Sequence, residues 1–169
     1  TLSEKRFLSE PLLRRGINAC LRVGGEKEMD ILISFADRKD LPAPIRAEAL
    51  ATLGGWANPS VLDRVDGRFR GKIERDPALV TAKARTLAKQ ILQSKDAEIL
   101  VAGAQMLSAL KISDYNEALV KLMQQHNEPS VRSAMLTALH DLKYDDIEPI
   151  IKRGMNDKDV SVRTAAVGL

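Results

Sequence analysis

A short motif that returns along the chain at regular intervals constrains the fold more than any other feature of this sequence. Each copy has a branched apolar residue followed by an arginine, with further apolar residues three and four positions after that arginine. The clear copies begin at Ile45-Arg46, Val131-Arg132 and Val162-Arg163. Self-similarity at a period of about 30 to 45 residues is typical of stacked helical hairpins, not of a chain folded around one closed core.

Two weaker copies complete the series. Leu13-Arg14 fits the motif, and Leu100 holds the equivalent position with the arginine replaced. The equivalent positions 14, 46, 100, 132 and 163 are separated by steps of 32, 54, 32 and 31 residues. The long step therefore contains an inserted segment, about one helix plus a loop in size. We assign it to a loop near 66–76, where closely spaced glycines disfavour helix, and to the helix that Asp76-Pro77 begins.

The chain is predicted to be all-α. Apolar residues at offsets of three, four and seven form one stripe along a helix, and strict strand-like alternation is not sustained anywhere. The predicted helices are 11–23 and 26–38, which form the first hairpin, then 44–55, a short helix at 61–65, 76–93, 96–110, 114–126, 129–142, 145–155 and one from 159 onward. Short connections make successive helices antiparallel neighbours. We therefore expect an α–α superhelix of about five helical hairpins.

Composition fits one folded domain. The chain has 169 residues, 44% of them hydrophobic and 29% charged, so residues 1–169 are expected to form a single repeat domain. A net charge of +3 is too small to predict nucleic-acid binding by itself. No apolar stretch approaches the length that spans a bilayer, so we expect no membrane insertion. The chain starts without methionine and stops inside a repeat, which suggests a piece of a longer protein.

The motifs resemble those of HEAT-repeat proteins. Pro129-Ser130-Val131-Arg132 and Asp159-Val160-Ser161-Val162-Arg163 are similar to the opening of the second helix in that family. The chain departs from the pattern at Leu100 and in the inserted segment after Trp56. The resemblance implies a HEAT or armadillo-like solenoid that docks protein partners.

The motif arginines are predicted to be structural. Arg46, Arg132 and Arg163 fall in the first turn of a helix, where the helix dipole disfavours a cation unless a carboxylate compensates. We therefore expect each to be paired. The resemblance implies a ladder with acidic residues of neighbouring turns, for which Asp157, Asp159 and Glu128 are the candidates.

A narrower resemblance concerns the residues around Trp56. The segments 53–59 and 63–70 are similar to part of the HEAT region of large bacterial secreted proteins that join a sugar-dehydrogenase-like propeller to a c-type cytochrome domain. This resemblance implies that the chain is their connecting repeat module and that it is periplasmic or extracellular. Haem in those proteins is carried by a Cys-x-x-Cys-His site, which this chain lacks, and no cofactor is expected.

The clearest local excess of positive charge surrounds Phe69. It supports either an anion- or partner-binding surface, because arginine matches carboxylates and phosphates well, or a solvated loop whose arginines pair with nearby acids. Trp56, at the edge of this segment, is either a packing anchor or an exposed binding anchor. The candidate partner-binding residues are Trp56, Arg64, Arg68, Phe69, Arg70 and Lys72.

Nothing in the sequence calls for catalysis. There is no phosphate-binding glycine loop, nucleophile elbow or zinc pattern. His126 and His140 lack neighbours at metal-ligand spacing, and Cys20 fits a small buried hydrophobe. We therefore predict a non-catalytic interaction or scaffold module that docks a protein partner or flanking domains of the same polypeptide. Binding of nucleic acid or another polyanion through the basic stretch from Arg64 to Lys89 is the alternative, and an enzyme would need a pocket of titratable groups with displaced pKa values.

Overall fold

The computed structural model of the chain describes residues 9–169. Within that range the backbone forms nine α-helices and no β-strand. The helices are α1 (Glu10–Val23), α2 (Glu26–Asp37), α3 (Ala43–Gly54), α4 (Ala78–Ile91), α5 (Ala97–Ala109), α6 (Asn116–Gln125), α7 (Pro129–Asp141), α8 (Ile147–Met155) and α9 (Val160–Val167). The all-α prediction is confirmed.

Local sequence explains where several helices begin. Proline occupies one of the first two positions of α1, α3 and α7, where its missing N–H has no intrahelical partner to lose. Asp96 and Asp159 precede α5 and α9, and their carboxylates accept hydrogen bonds from the backbone N–H groups of Glu98 and Ser161. These caps satisfy donors that the first turn of a helix leaves free.

The helices form two layers. The odd-numbered helices α1, α3, α5, α7 and α9 pack side by side in one layer, and each even-numbered helix packs against the odd-numbered helix that follows it. The described residues thus contain four hairpins, preceded by α1. The first hairpin is α2–α3 rather than the predicted pair of 11–23 and 26–38, because α2 packs more extensively on α3 than on α1.

The core lies between the layers and follows the predicted stripe. Ile45, Ala49, Leu50 and Leu53 of α3 are all fully buried. The equivalent residues of α7, which are Val131, Met135, Leu136 and Leu139, are fully buried as well. Leu100, which replaces the motif arginine in α5, is fully buried as well. The apolar positions of the repeat motif therefore form the core between the two layers.

The inserted segment differs from its prediction. It is the connection between α3 and α4, and we refer to residues 55–77 as the insertion. The helix predicted at 76–93 is α4. It is the regular first helix of its hairpin and does not belong to the inserted segment. The short helix predicted at 61–65 does not form, because the N–H of Asp63 bonds to the carbonyl of Arg68 at 2.8 Å instead of to a residue four positions earlier.

Two of the motif arginines close the turn inside their hairpins. Nη1 of Arg132 donates to the carbonyls of His126 and Asn127 at 2.9 and 2.7 Å, the residues six and five positions earlier. Arg163 repeats this register on the carbonyls of Asp157 and Lys158, at 2.9 and 3.0 Å. These carbonyls follow the end of the preceding helix, where the helix dipole attracts a cation.

The expected carboxylate ladder is only partly present. Arg132 forms a two-point ion pair with Asp157, with Nε–Oδ2 at 2.8 Å and Nη2–Oδ1 at 2.6 Å. This hydrogen bonding lowers the pKa of Asp157. Arg46 donates to the carbonyl of Ala36 at 2.9 Å, and among the described residues neither Arg46 nor Arg163 has a carboxylate partner. For Arg46 and Arg163, backbone carbonyls offset the unfavourable position of a cation in the first helical turn, a role that we expected of carboxylates.

This difference predicts unequal roles for equivalent arginines. Arg132 is 5% exposed, so Arg132→Met leaves Asp157 without its partner and is expected to lower the free energy of unfolding by about 3 to 5 kcal/mol. Arg163→Met, at the equivalent position, removes carbonyl contacts only and should cost clearly less. Urea denaturation of the two variants measures both losses. Equal losses would contradict a special role for the Arg132–Asp157 pair.

Candidate functional site

A buried carboxylate fixes the insertion to the first helix. Asp63 is 6% exposed, and both of its carboxylate oxygens lie 3.1 Å from Nδ2 of Asn18, which projects from α1. Its Oδ1 also accepts the backbone N–H groups of Val65 and Asp66, at 2.8 and 3.3 Å. Because these partners belong both to the insertion and to α1, Asp63 defines the local turn and its attachment together.

The same carboxylate faces two arginines. Nε of Arg70 lies 3.3 Å from Oδ2 of Asp63, and Nε of Arg22 lies 3.8 Å from the same atom. The pKa of Asp63 is lowered to about 2, first through the hydrogen bond from the N–H of Val65 and next through that from Asn18. Asp63 is therefore ionised at neutral pH and neutralises part of the nearby positive charge.

Residues 61–70 form a short two-stranded turn. The N–H of Asp63 donates to Arg68 and that of Arg70 donates to Val61, both at 2.8 Å. Leu62 and Phe69 form the antiparallel bridge enclosed by these bonds. Residues opposed in this way do not bond to each other and place their side chains close together on one face. Leu62 is 51% exposed and Phe69 is 73% exposed, so that face points to solvent.

A cation–π contact holds the other end of the insertion. The guanidinium of Arg75 lies 4.9 Å from the ring centroid of Trp56. It also donates to the carbonyl of Trp56 at 2.8 Å and to that of Leu21, in the last turn of α1, at 2.6 Å. Desolvation lowers the pKa of Arg75. Arg75 thus connects the ends of α1 and α3.

The predicted site residues divide into two groups. Trp56 is 2% exposed, which fits the packing interpretation and leaves no surface through which it could contact a partner. The other five candidates are exposed and lie together on the insertion; they are Arg64, Arg68, Phe69, Arg70 and Lys72. Sequence reasoning did not single out Leu62, and it counted Asp63 and Arg75 only among the charges of the insertion. Nothing local in the sequence indicated the contacts that these residues make.

Much of the basic stretch is already paired with acids. Nη2 of Arg70 lies 2.9 Å from Asp66, and Nζ of Lys72 lies 2.6 Å from Glu74. On α4, Lys83 pairs with Asp30 and Glu26, while Arg85 pairs with Asp114. The side chains of Arg64 to Lys89 therefore do not form an unopposed cationic surface.

A shallow depression of about 520 Å³ lies between α1 and the insertion. Charged side chains of both signs line it, including Arg15, Arg22, Asp66 and Arg70. In residues 9–169 no group of three or more His, Cys, Asp or Glu side chains is placed to bind a metal ion. Nor does any helix in the same range have the length and apolarity needed to cross a bilayer.

One comparison with known proteins gives a match. Residues 142–169 match the family of HEAT repeats associated with sister chromatid cohesion. The matched residues contain α8, α9 and the Arg163 turn, which shares its geometry with the Arg132 turn. No curated protein and no solved structure matches the chain. The similarity therefore supports the HEAT-type repeat, while the narrower resemblance to secreted dehydrogenase and cytochrome proteins gains no support.

The lowered pKa of Asp63 predicts an acid-dependent contribution to stability. An unfolded aspartate titrates near pH ~3.9, so the stabilisation from Asp63 is complete above that range and is lost as the pH falls towards the folded value of about 2. Asp63→Asn should thus be less stable than the parent protein at pH 6, and the difference should shrink between about pH 4 and pH 2.

Urea denaturation of both proteins across this range measures the difference. Asp145→Asn, which changes an exposed carboxylate in the α7–α8 turn, is the matched control and should leave stability unchanged. A difference in the free energy of unfolding between Asp63→Asn and the parent protein that stays constant down to pH 2 would contradict the lowered pKa of Asp63.

A second prediction concerns the contact between Arg75 and the end of α1. Gly24 has φ of 77°, and a Cβ placed on it would lie 2.5 Å from Nε of Arg75. Gly24→Ala should therefore lower the free energy of unfolding by about 1 to 3 kcal/mol from backbone strain, and displace Arg75 as well. Gly55→Ala is the control, because Gly55 also follows a helix, has φ of −89° and has room for a Cβ. Equal urea midpoints for both variants would show that Arg75 does not depend on Gly24.

Proposed function

We propose that this chain is a non-catalytic helical-repeat module that docks a protein partner or flanking domains of the same polypeptide. In this proposal residues 1–169 act as one domain, and the stacked hairpins serve as a rigid frame. The observation that carries the proposal is an insertion anchored by a buried carboxylate, which presents Phe69 with 73% of its surface exposed. Loops of this length without regular structure are usually functional or disordered, and this one has defined anchors.

The positions of the anchors support a binding role for the insertion. Asp63 and Arg75 direct polar groups inward onto α1 and α3, and the core of the solenoid is complete without any contribution from Phe69. A large aromatic side chain held at the surface by a fixed loop is favourable for recognition, since few degrees of freedom are lost on binding. Arg64, Arg68, Arg70 and Lys72 are exposed residues of the same insertion.

The comparisons support the type of repeat and no particular complex. The similarity covers residues 142–169 only, so the proposal extends to a helical-repeat interaction role and not to chromatid cohesion. HEAT repeats act mainly as binding surfaces, since stacked repeats offer extended faces for docking. The absence of catalysis is part of the proposal and follows the same family reasoning.

Binding of nucleic acid through the stretch from Arg64 to Lys89 remains the competing function. It requires cations that are free to contact phosphates, whereas Arg70, Lys72, Lys83 and Arg85 have carboxylate partners in this chain. Fluorescence anisotropy with labelled single- and double-stranded 20-mers, at 50 and 200 mM salt, separates the two functions. Affinity that falls steeply with salt and weakens in Arg68→Ala and Arg70→Ala variants would favour the alternative.

Crosslinking in cells of the native source tests the primary proposal. A photoreactive amino acid in place of Lys72 should capture a protein partner or a flanking domain, because Lys72 lies on the insertion and its side chain is 76% exposed. The same substitution at Lys121, an exposed residue on α6, is the matched control and should capture much less. If no protein or flanking domain is crosslinked at either position, the docking function is contradicted.

A further inference from the structure

We infer that Arg46, together with Lys39, Ser94 and Lys95, binds a carboxylate group of another molecule. We call these four residues the turn site, because they lie in or just after the turns inside the α2–α3 and α4–α5 hairpins. Arg46 is near the start of α3, whereas the insertion follows the end of that helix. The turn site is therefore separate from the insertion, and the inference does not depend on the role proposed for the insertion.

A similar turn occurs before α5 and before α9. Its last three residues are Ser-Lys-Asp at 94–96 and Asp-Lys-Asp at 157–159. In both turns the final aspartate caps the helix that follows. The backbone N–H of that aspartate donates to the side chain two positions earlier, to Oγ of Ser94 at 3.1 Å and to Oδ1 of Asp157 at 2.9 Å. Ser94 therefore occupies the position in its turn that Asp157 occupies in the other.

In the turn before α9, the carboxylate at this position binds the arginine of the preceding repeat. Asp157 and Arg132 form the two-point ion pair described above, and both line a depression of about 470 Å³. Arg46 is the fourth residue of α3, as Arg132 is of α7, and α3 packs beside α5 as α7 packs beside α9. Arg46 and Ser94 line one depression of about 530 Å³. Arg46 thus shares its depression with a hydroxyl, where Arg132 shares one with a carboxylate.

The turn site has hydrogen-bond donors that the chain does not use. Nε of Arg46 donates to the carbonyl of Ala36 at 2.9 Å, and within residues 9–169 neither Nη1 nor Nη2 of Arg46 has a partner. The hydroxyl of Ser94 accepts the N–H of Asp96, which leaves its own hydrogen free to donate. Two N–H groups of one guanidinium match the two oxygens of a carboxylate. The Nη1 and Nη2 atoms of Arg46 therefore provide a two-point contact for a carboxylate.

The charges around the turn site favour a single carboxylate. Lys39 and Lys95 are exposed, line the same depression as Arg46, and form no ion pair in the described part of the chain. Asp37 and Asp96 are the acids that line it, so the depression has three positive and two negative side chains. This excess of one positive charge attracts an anion. It matches a carboxylate better than a phosphate group, which carries about two negative charges.

An NMR titration of the ¹⁵N-labelled full chain with acetate tests the inference. Chloride keeps the ionic strength constant, and acetamide is the neutral control. The Nε–H signal of Arg46, assigned by its loss in Arg46→Lys, should shift saturably with a dissociation constant of about 1 to 20 mM, the range expected for two charged hydrogen bonds in contact with water. The backbone signals of Lys39 and Lys95 should shift with it. The Nε–H signal of Arg132, which already has a carboxylate partner, should not shift.

Ser94→Asp is the decisive variant, because it supplies within the chain the carboxylate that Asp157 supplies to Arg132. It should weaken acetate binding at least about tenfold, since the new carboxylate competes for the charged hydrogen bonds of Arg46. It should also raise the urea midpoint, but not in an Arg46→Met background. Ser113→Asp, which adds the same charge to the exposed connection between α5 and α6, is the matched control and should change neither quantity.

Two further measurements define the ligand. Lys39→Gln combined with Lys95→Gln should weaken acetate binding about threefold, as expected for two exposed charges. The source of the carboxylate is identified with the capped peptide Ac-Gly-Glu-Gly-NH₂ and its Gln counterpart, which should not bind. Tighter binding of the Glu peptide than of acetate identifies a side chain of a protein, whereas equal affinity identifies a small free carboxylate.

Four results would overturn the turn site. They are no saturable shift of the Arg46 signal up to about 100 mM acetate, equal shifts with acetamide, unchanged acetate affinity in Ser94→Asp, and tighter binding of inorganic phosphate than of acetate. None of these results bears on crosslinks at residue 72. The turn site and the docking role of the insertion can therefore fail independently.

Discussion

Burial of one apolar stripe per helix against the next layer is the constraint on which the whole structure depends. In α3 and α7 the stripe residues are fully buried, and an isolated hairpin could not bury the whole stripe. In α7 and α9 the arginine that introduces the stripe acts on the turn before it, where it satisfies carbonyls beyond the end of the preceding helix. The apolar residues of the repeat motif therefore pack the layers together, and its arginine stabilises the turn.

The insertion is held by a different kind of interaction. Its anchors are polar groups in semi-buried positions, and each reaches a helix far away in sequence. Asp63 binds Asn18, and Arg75 binds the carbonyl of Leu21 while stacking on Trp56. Such groups give little stability unless every partner is present, because a buried charge without its contacts is costly. In return they specify one conformation for a segment that has almost no core of its own.

The helical periodicity made the solenoid predictable from sequence, since the spacing of the apolar residues is local information. The extent of the insertion was not predictable in the same way. The helix after Asp76-Pro77 has the same periodicity as every other helix, so spacing alone could not show that α4 is a regular repeat helix and that residues 55–77 are the surplus. All six candidate residues lie on the insertion and five of them are exposed, yet Asp63 and Arg75, which position it, act through partners that sequence spacing does not reveal.

The attachment of Arg75 to both Trp56 and Leu21 has a mechanical consequence. A pull on the tip of the insertion is transmitted to the ends of α1 and α3 at once, through hydrogen bonds of 2.8 and 2.6 Å. The insertion stays attached at this end as long as these hydrogen bonds are intact. A force applied to the insertion is therefore shared between two neighbouring helices of the odd-numbered layer.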